Sequence, residues 1–409
     1  MIIKVSMSYF LLPKLSYIDN LENYIQVSFL KDSTTIPVIN KTLYKYLNSI
    51  KGEIDNCPGE WDKYKKYTNP YEYIHTPVTG SKQSVCKLKP LSRSYYKMIE
   101  ITNLLNLLKD MPDAINTFHL AEGPGGFIEA LADMRSSISY DCNEPVYNKN
   151  DTYIGMTLET PDDSSIPGWK KTEQFLEKCS NVKIEKGLTG TGDLSAIDNL
   201  SFCYYKYHNN MDFITADGGF DFSIDFNQQE IVSSKLIFYQ IAFAIATQKK
   251  GGHFIIKCFD TFTKISLDLI YLLGLVYEKV YIVKPNTSRY ANSEKYLVCK
   301  NFKLEDSLLL SQKLFSIYAD FNSTKHISRI FTLDIPYLLV SKIEEYNAIF
   351  GQQQIECIAN TLNLIDNNKF DKLENQKKNN IQKCKQWCQK YKQPYNKSII
   401  SNNIFLHNK

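Results

Sequence analysis

The chain has 409 residues, 43% hydrophobic and 22% charged, with 48 basic against 44 acidic side chains and a net charge of +4. Those proportions suit one large globular domain or two ordinary ones, and exclude a histone-like electrostatic anchor while leaving room for a local basic groove. The longest apolar stretch, Leu236–Ala246, is interrupted by Gln240 and reads as too short to span a bilayer, so no membrane is expected.

In chain order, MIIKVSMSYFLLPK has one early lysine and no small-residue cleavage site behind a sustained apolar core, so no signal peptide is expected. The 10 cysteines are scattered, which favours a reducing, cytoplasmic setting over secretion. Residues 1–90 read as an N-terminal extension of short apolar runs and turn residues. Within it, Trp61–His75 interleaves aromatics with lysines. Such a stretch can stack bases, but a half-buried surface with snorkelling lysine stems is the better reading.

Residues 91–301 alternate β-rich runs with helical patterns, which predicts an α/β domain with a mainly parallel sheet. The predicted strands are Thr117–Ala121, Tyr153–Leu158, Val182–Glu185, Asp212–Ala216, His253–Cys258, Lys279–Val283 and Lys295–Cys299, with one long helix over Gln228–Gln248. The loop before the last strand is too short for a crossover, and parallel neighbours need one, so that strand is expected to run antiparallel. Residues 302–409 read as a helical, polar C-terminal region, Lys/Asn/Gln-rich over 367–396 and loosely ordered beyond Tyr395. Cys384 and Cys388 form the one close cysteine pair there. No neighbouring His or second pair completes a zinc site, so no metal is expected.

Two features point to chemistry. In TFHLAEGPGGFIEALADM a β-like run meets Gly123-Pro124-Gly125-Gly126 and then a helical pattern. Glycines at a strand-to-helix turn let backbone approach a ligand, and the helix start offers free N–H groups. The spacing is not that of a dinucleotide fingerprint. Glu122 before the turn suits a ligand with an amino-acid end, although a tight structural turn explains the glycines as well. The second feature is a set of charges at strand ends: Asp217 before Gly218-Gly219, Lys257 closing an apolar strand, and Glu294 at the mouth of the last strand. Ligands of open α/β sheets bind at that edge. Lys97 stands one turn into a helix ahead of the first strand. Each alone is a solvated turn or strand-end residue; together they place two cations and two carboxylates beside the glycine turn.

The segments SRSYYK, AEGPGGFIEAL, TGTGDLS, DFITADGGFD, GGHFIIKCF and KPNTSRYANSEKYLVCK, in that order across 91–301, resemble the FtsJ-like (RrmJ-type) ribose 2′-O-methyltransferases, particularly the cap-specific mRNA branch of eukaryotes and large DNA viruses. The resemblance implies a Rossmann-like, S-adenosyl-L-methionine-dependent methyltransferase sheet with an antiparallel last strand. It implies a catalytic tetrad of Lys97, Asp217, Lys257 and Glu294, with Lys257 as general base, its pKa lowered by Lys97 and desolvation. It further implies a donor site at Glu122, Gly123, Pro124, Gly125, Gly126, Phe127 and Asp217, with Asp193 near the adenine. Glu159 is a weaker ribose candidate, and Ser288 and Arg289 are expected to touch the RNA backbone. Capped mRNA is the expected substrate, with capping or transcription machinery as possible partners and a large DNA virus as the expected source, acting in host cytoplasm or virion. Methylation of ribosomal or other internal RNA, or a non-catalytic RNA-binding subunit, are the alternatives.

Overall fold

A computed structural model describes residues 8–30, 38–138, 145–160, 168–219, 229–367 and 370–399. Part of the DGGFDFS motif (220–223), the expected helix start Gln228, and 400–409 lie outside the described residues. The strands are β1 (Ser8–Leu11), β2 (Ile25–Phe29), β3 (Asn116–Leu120), β4 (Ser137–Ile138), β5 (Pro145–Val146), β6 (Thr152–Met156), β7 (Val182–Ile184), β8 (Met211–Ala216), β9 (Gln248–Cys258), β10 (Tyr277–Lys284), β11 (Lys295–Phe302) and β12 (Ile327–Phe331). The helices are α1 (Lys41–Gly52), α2 (Pro58–Thr68), α3 (Ser94–Leu104), α4 (Gly126–Arg135), α5 (Glu173–Lys178), α6 (Ile197–Tyr207), α7 (Gln229–Thr247), α8 (Lys264–Val276), α9 (Leu308–Ser316), α10 (Tyr318–Asn322), α11 (Tyr337–Asn367) and α12 (Phe370–Lys390).

An eight-stranded sheet organises the chain, in the order β1-β10-β11-β9-β8-β3-β6-β7. β9, β8, β3, β6 and β7 run parallel, while β11 is antiparallel to both β9 and β10. The short β10–β11 loop enforces this, since it leaves no room for a crossover. β8 is buried along its whole length, as a central parallel strand covered on both faces must be. Alternate strand residues feed two cores: Ile154, Ile214, Phe254 and Leu297 pack among α6 to α11, and Tyr153, Phe213, Ile255 and Tyr296 against α3, α4 and α12.

The flanks are part of this body. β1 adds an edge strand to β10, with Ser8 opposite Lys284, and β12 pairs β2. The C-terminal region is therefore not wholly helical. The Lys87 N–H donates to Pro394 O and the Asn396 N–H to Val85 O, so the chain just beyond Tyr395 is tied down, contrary to expectation. α7 falls within the expected Gln228–Gln248; at 19 residues it meets the length and hydropathy of a bilayer span, but 72% of its apolar window is buried in the fold. Cys384 and Cys388 lie in the apolar core with Trp387.

Candidate active site

β3 delivers the chain to the glycine turn. Ala121 takes φ 52° and Gly125 φ 101°, left-handed values that Gly accepts freely and Ala does not. The Gly125 N–H donates to Glu122 O at 2.5 Å, closing the turn. Gly126 opens α4 directly against the start of α3, where a Cβ would collide with the Ser92 and Ser94 hydroxyls and stand 3.2 Å from Tyr95 N. The glycine there sets how closely the helix carrying Lys97 approaches the turn.

The tetrad residues come from four elements and meet at one edge. Asp217 follows β8. In the β9–β11 register Lys295 faces Cys258 and Tyr296 faces Lys257, so Glu294 stands just outside the sheet beside Lys257. The Lys97 ammonium lies 2.7 Å from Glu294 Oε1 and donates to Oε2 at 2.9 Å. The Lys257 ammonium donates to the Asp217 carbonyl at 2.7 Å and lies 3.4 Å from its carboxylate. Each cation thus has its own carboxylate, and all four line one large cleft of about 1660 Å³.

Electrostatics separates the acids. Burial alone would raise the Glu294 carboxyl, but Lys97, Lys257 and Lys284 hold it well below the usual range. Burial, followed by the neighbouring charge of Asp217, pushes Glu122 well above it, against hydrogen bonds from the Thr215 hydroxyl (2.9 Å) and the Phe127 N–H. A carboxyl in that state favours a cation beside it, because a positive neighbour restores its charged form.

Of the expected donor-site residues, Glu122, Gly123, Pro124, Asp193 and Asp217 line the cleft with Thr157, Leu158 and Gly192. Gly125, Gly126 and Phe127 support the turn from behind, Phe127 with its ring centroid 5.9 Å from that of Tyr296. Asp193 Oδ1 accepts the Ser195 N–H (2.8 Å) and Oδ2 its hydroxyl (2.9 Å). Glu159 does not line the cleft and instead pairs with Lys186 at 2.6 Å.

Of the two residues expected to touch RNA, one lines the cleft. Ser288 is 2% exposed and lies behind the cleft wall, so its hydroxyl is not offered to an RNA backbone. Arg289 does line the cleft, but its guanidinium is committed to Glu72 through bonds of 3.0 and 2.7 Å. That carboxylate belongs to the N-terminal region.

Other site residues were not singled out from the sequence. The Tyr296 hydroxyl donates to Asp217 Oδ1 at 2.8 Å and so fixes that carboxylate from the antiparallel strand. Lys284, at the end of β10, donates to Asn292 O, Asn292 Oδ1 and Glu294 O at 2.6 to 2.8 Å, holding the loop that presents Glu294. Glu100 in α3 is fully buried and accepts four bonds from Asn286 and Thr287 at the other end of that loop. Only strand alternation hinted at Tyr296. The two buried charges occupy positions that read as ordinary.

A model of the FtsJ-like methyltransferase family matches residues 90–302. Cap-specific mRNA (nucleoside-2′-O-)-methyltransferase 1 of Mus musculus is 31% identical over 305 residues, covering 70% of this chain and 34% of the mouse protein. The Homo sapiens protein of that name is 35% identical over 304 residues, with the same coverage of 70% and 34%. The chain thus spans about a third of the length of these relatives. Among solved structures, a putative ribosomal RNA methyltransferase from Plasmodium falciparum aligns at TM-score 0.34 and 20% identity, covering 52% of this chain and 98% of that one. With the glycine turn and all four charged positions inside the matched segment, the chain belongs to the FtsJ-like methyltransferase family.

Proposed function

We propose that the cleft transfers a methyl group from S-adenosyl-L-methionine to a ribose 2′-hydroxyl of capped mRNA. The observation that carries this reading is the convergence of two lysine–carboxylate pairs at the strand ends beside the glycine turn. The residues suit the donor. Glu122 and Asp217 form an acidic corner fitted to a cationic amino-acid end, the Gly123–Gly125 turn lets backbone approach closely, and Asp193 stands where an adenine amine would be recognised. When bound, the donor supplies a methyl group on a positively charged sulfur that leaves readily.

A ribose hydroxyl is a weak nucleophile at neutral pH, so it must be aligned and relieved of its proton. Alignment can contribute several kcal/mol, on the scale set by intramolecular reactions. Lys257 is the base that accepts the hydroxyl proton, with its Nζ held by the Asp217 carbonyl. Arginine cannot take this role, because it stays protonated. Tyr296 fixes the Asp217 carboxylate, and the Lys97–Glu294 pair sets the charge around the acceptor oxygen. Capped mRNA as substrate rests on the cap-specific activity of the relatives, 31 to 35% identical over 70% of this chain. A source in a large DNA virus fits a composition heavy in Asn, Lys, Ile and Tyr.

The test is transfer of labelled methyl to matched capped and uncapped transcripts, with the modified nucleotide mapped by digestion. Lys257→Ala should abolish transfer while donor binding survives. Full activity in that variant would refute the assignment of the base, and equal transfer to uncapped RNA would refute the cap-specific substrate.

A further inference from the structure

The family match ends at residue 302, yet the cleft wall does not. Leu194 and Ser195, which follow Asp193, line the cleft together with Tyr239 of α7 and with Phe321 and Asn322 of α10. The Asp193–Ser195 turn is closed on its own side chains, so its direction depends on what holds its carbonyls. Asn199 of α6 holds Asp193 O at 2.9 Å, while the next two carbonyls are held from the C-terminal region. The Tyr318 hydroxyl donates to Leu194 O, and Asn322 Nδ2 donates to Ser195 O at 3.2 Å. Asn322 is oriented in turn by the Tyr239 hydroxyl, which donates to its Oδ1 at 2.5 Å. The bracing element is rigid. Phe321 is fully buried and stacks on Phe238 with centroids 3.6 Å apart and planes within 3°, and Lys235 of α7 donates to Ser323 O at 2.6 Å.

We infer that α10, through Tyr318 and Asn322, is a positioning element for the purine end of the methyl-donor site, so that the region beyond the matched domain helps determine donor affinity. The inference rests on the reading of Asp193 as the adenine-side contact. A carboxylate recognises an exocyclic amine only in a narrow range of directions, and a turn whose two following carbonyls are anchored is fixed before the ligand arrives. Binding to a preset site avoids the ordering cost that a loose turn would impose. The ligand class is a purine nucleoside carrying the donor's amino-acid tail, and the C-terminal residues act on its affinity without touching the reacting atoms.

The experiment measures binding of S-adenosyl-L-methionine and S-adenosyl-L-homocysteine by calorimetry to the full chain carrying Asn322→Ala, Asn322→Asp or Tyr318→Phe. Each lost hydrogen bond should weaken binding by about fivefold, on the usual net worth of one such bond. The loss should appear in the donor KM, with the RNA KM unmoved. Asn322 is exposed, so replacing it removes little packing, and Tyr318→Phe keeps the buried ring. Asn322→Asp should weaken binding more than Asn322→Ala, because it sets an oxygen against the Ser195 carbonyl; lost packing alone would not produce that order. Donor affinity unchanged in all three variants, while Asp193→Ala loses it, overturns the bracing role alone. Donor affinity unchanged in Asp193→Ala as well overturns the adenine-side reading on which it stands.

Discussion

Glu294→Gln tests whether the tetrad is an energetic unit. Lys97 and Glu294 keep only 8% and 13% of their side chains exposed, and their contact is 2.7 Å. Removing the carboxylate's charge leaves a buried ammonium whose other near neighbours include Lys257 and Lys284. Breaking one side of a buried pair costs about 3–5 kcal/mol. A ceiling comes from proton loss, since an isolated lysine can shed its proton at pH 7 for about 5 kcal/mol. The two limits agree, so Glu294→Gln should lose about 3–5 kcal/mol of stability. Lys97→Met should lose somewhat less, because Lys257 and Lys284 still act on the orphaned carboxylate. The double variant Lys97→Met/Glu294→Leu exchanges the pair for apolar groups, which is often close to neutral. It should therefore be more stable than either single variant, as expected only of coupled sites. Urea denaturation followed by circular dichroism reads all three, and methyl transfer should be lost in each. If the single losses simply add in the double variant, the two residues are not coupled and the argument fails.

Arg289→Ala should shift the acid limit of stability. Against burial, Arg289 and Arg93 hold the Glu72 carboxyl down to about 2. A depressed carboxyl stabilises the fold above its ordinary value of 4.5, and that contribution, about 3 kcal/mol, is lost as pH falls toward about 2. The variant should lose stability at higher pH than the parent; melting curves that stay parallel from pH 7 to pH 3 would sink this. Lys284 gives a slope of the same sign in a higher pH window. Burial, with Lys295 and Lys97 nearby, pushes its amine down to about 7 from 10.5. Between those values the unfolded chain holds a proton that the folded chain lacks, so this group makes stability rise with pH, and Lys284→Met should flatten the rise. An unchanged slope over that window counts against it. Gly126→Ala should cost about 1–3 kcal/mol through overpacking at the α3–α4 contact and should weaken donor binding too. A variant as stable as the parent would show that Ser92 and Ser94 can move aside.

The sheet was legible because its buried strands are continuous apolar runs between turn residues, and the charged strand ends stood out against them. Asp217 and Lys257 lie where such strands stop, and the short loop before Lys295 dictated the direction that brings Glu294 alongside. β1 was not legible. It is a short edge strand whose Tyr9 and Leu11 are nearly half exposed, and its partner β10 lies far along the chain. β2 and β12 escaped for the same reason, since each pairs only with the other in a two-stranded ribbon. The fate of Arg289 was also hidden. A cationic loop residue reads as a phosphate ligand until a distant carboxylate, here Glu72, is found in front of it. Partner choice of that kind is set by tertiary packing and leaves no local pattern.

The way the two ends of the chain clasp each other has a consequence for biosynthesis. Asn396 bonds to Ser84 across a separation of 312 residues, and the Lys87 N–H waits for Pro394. Contacts so distant in sequence form late, after the loops between them have closed. A ribosome must extend the polypeptide beyond Asn396 before the segment ahead of α3 can settle. Until then the helix that carries Lys97 lacks the cover of α12, and its apolar underside is the kind of transiently exposed surface that favours aggregation.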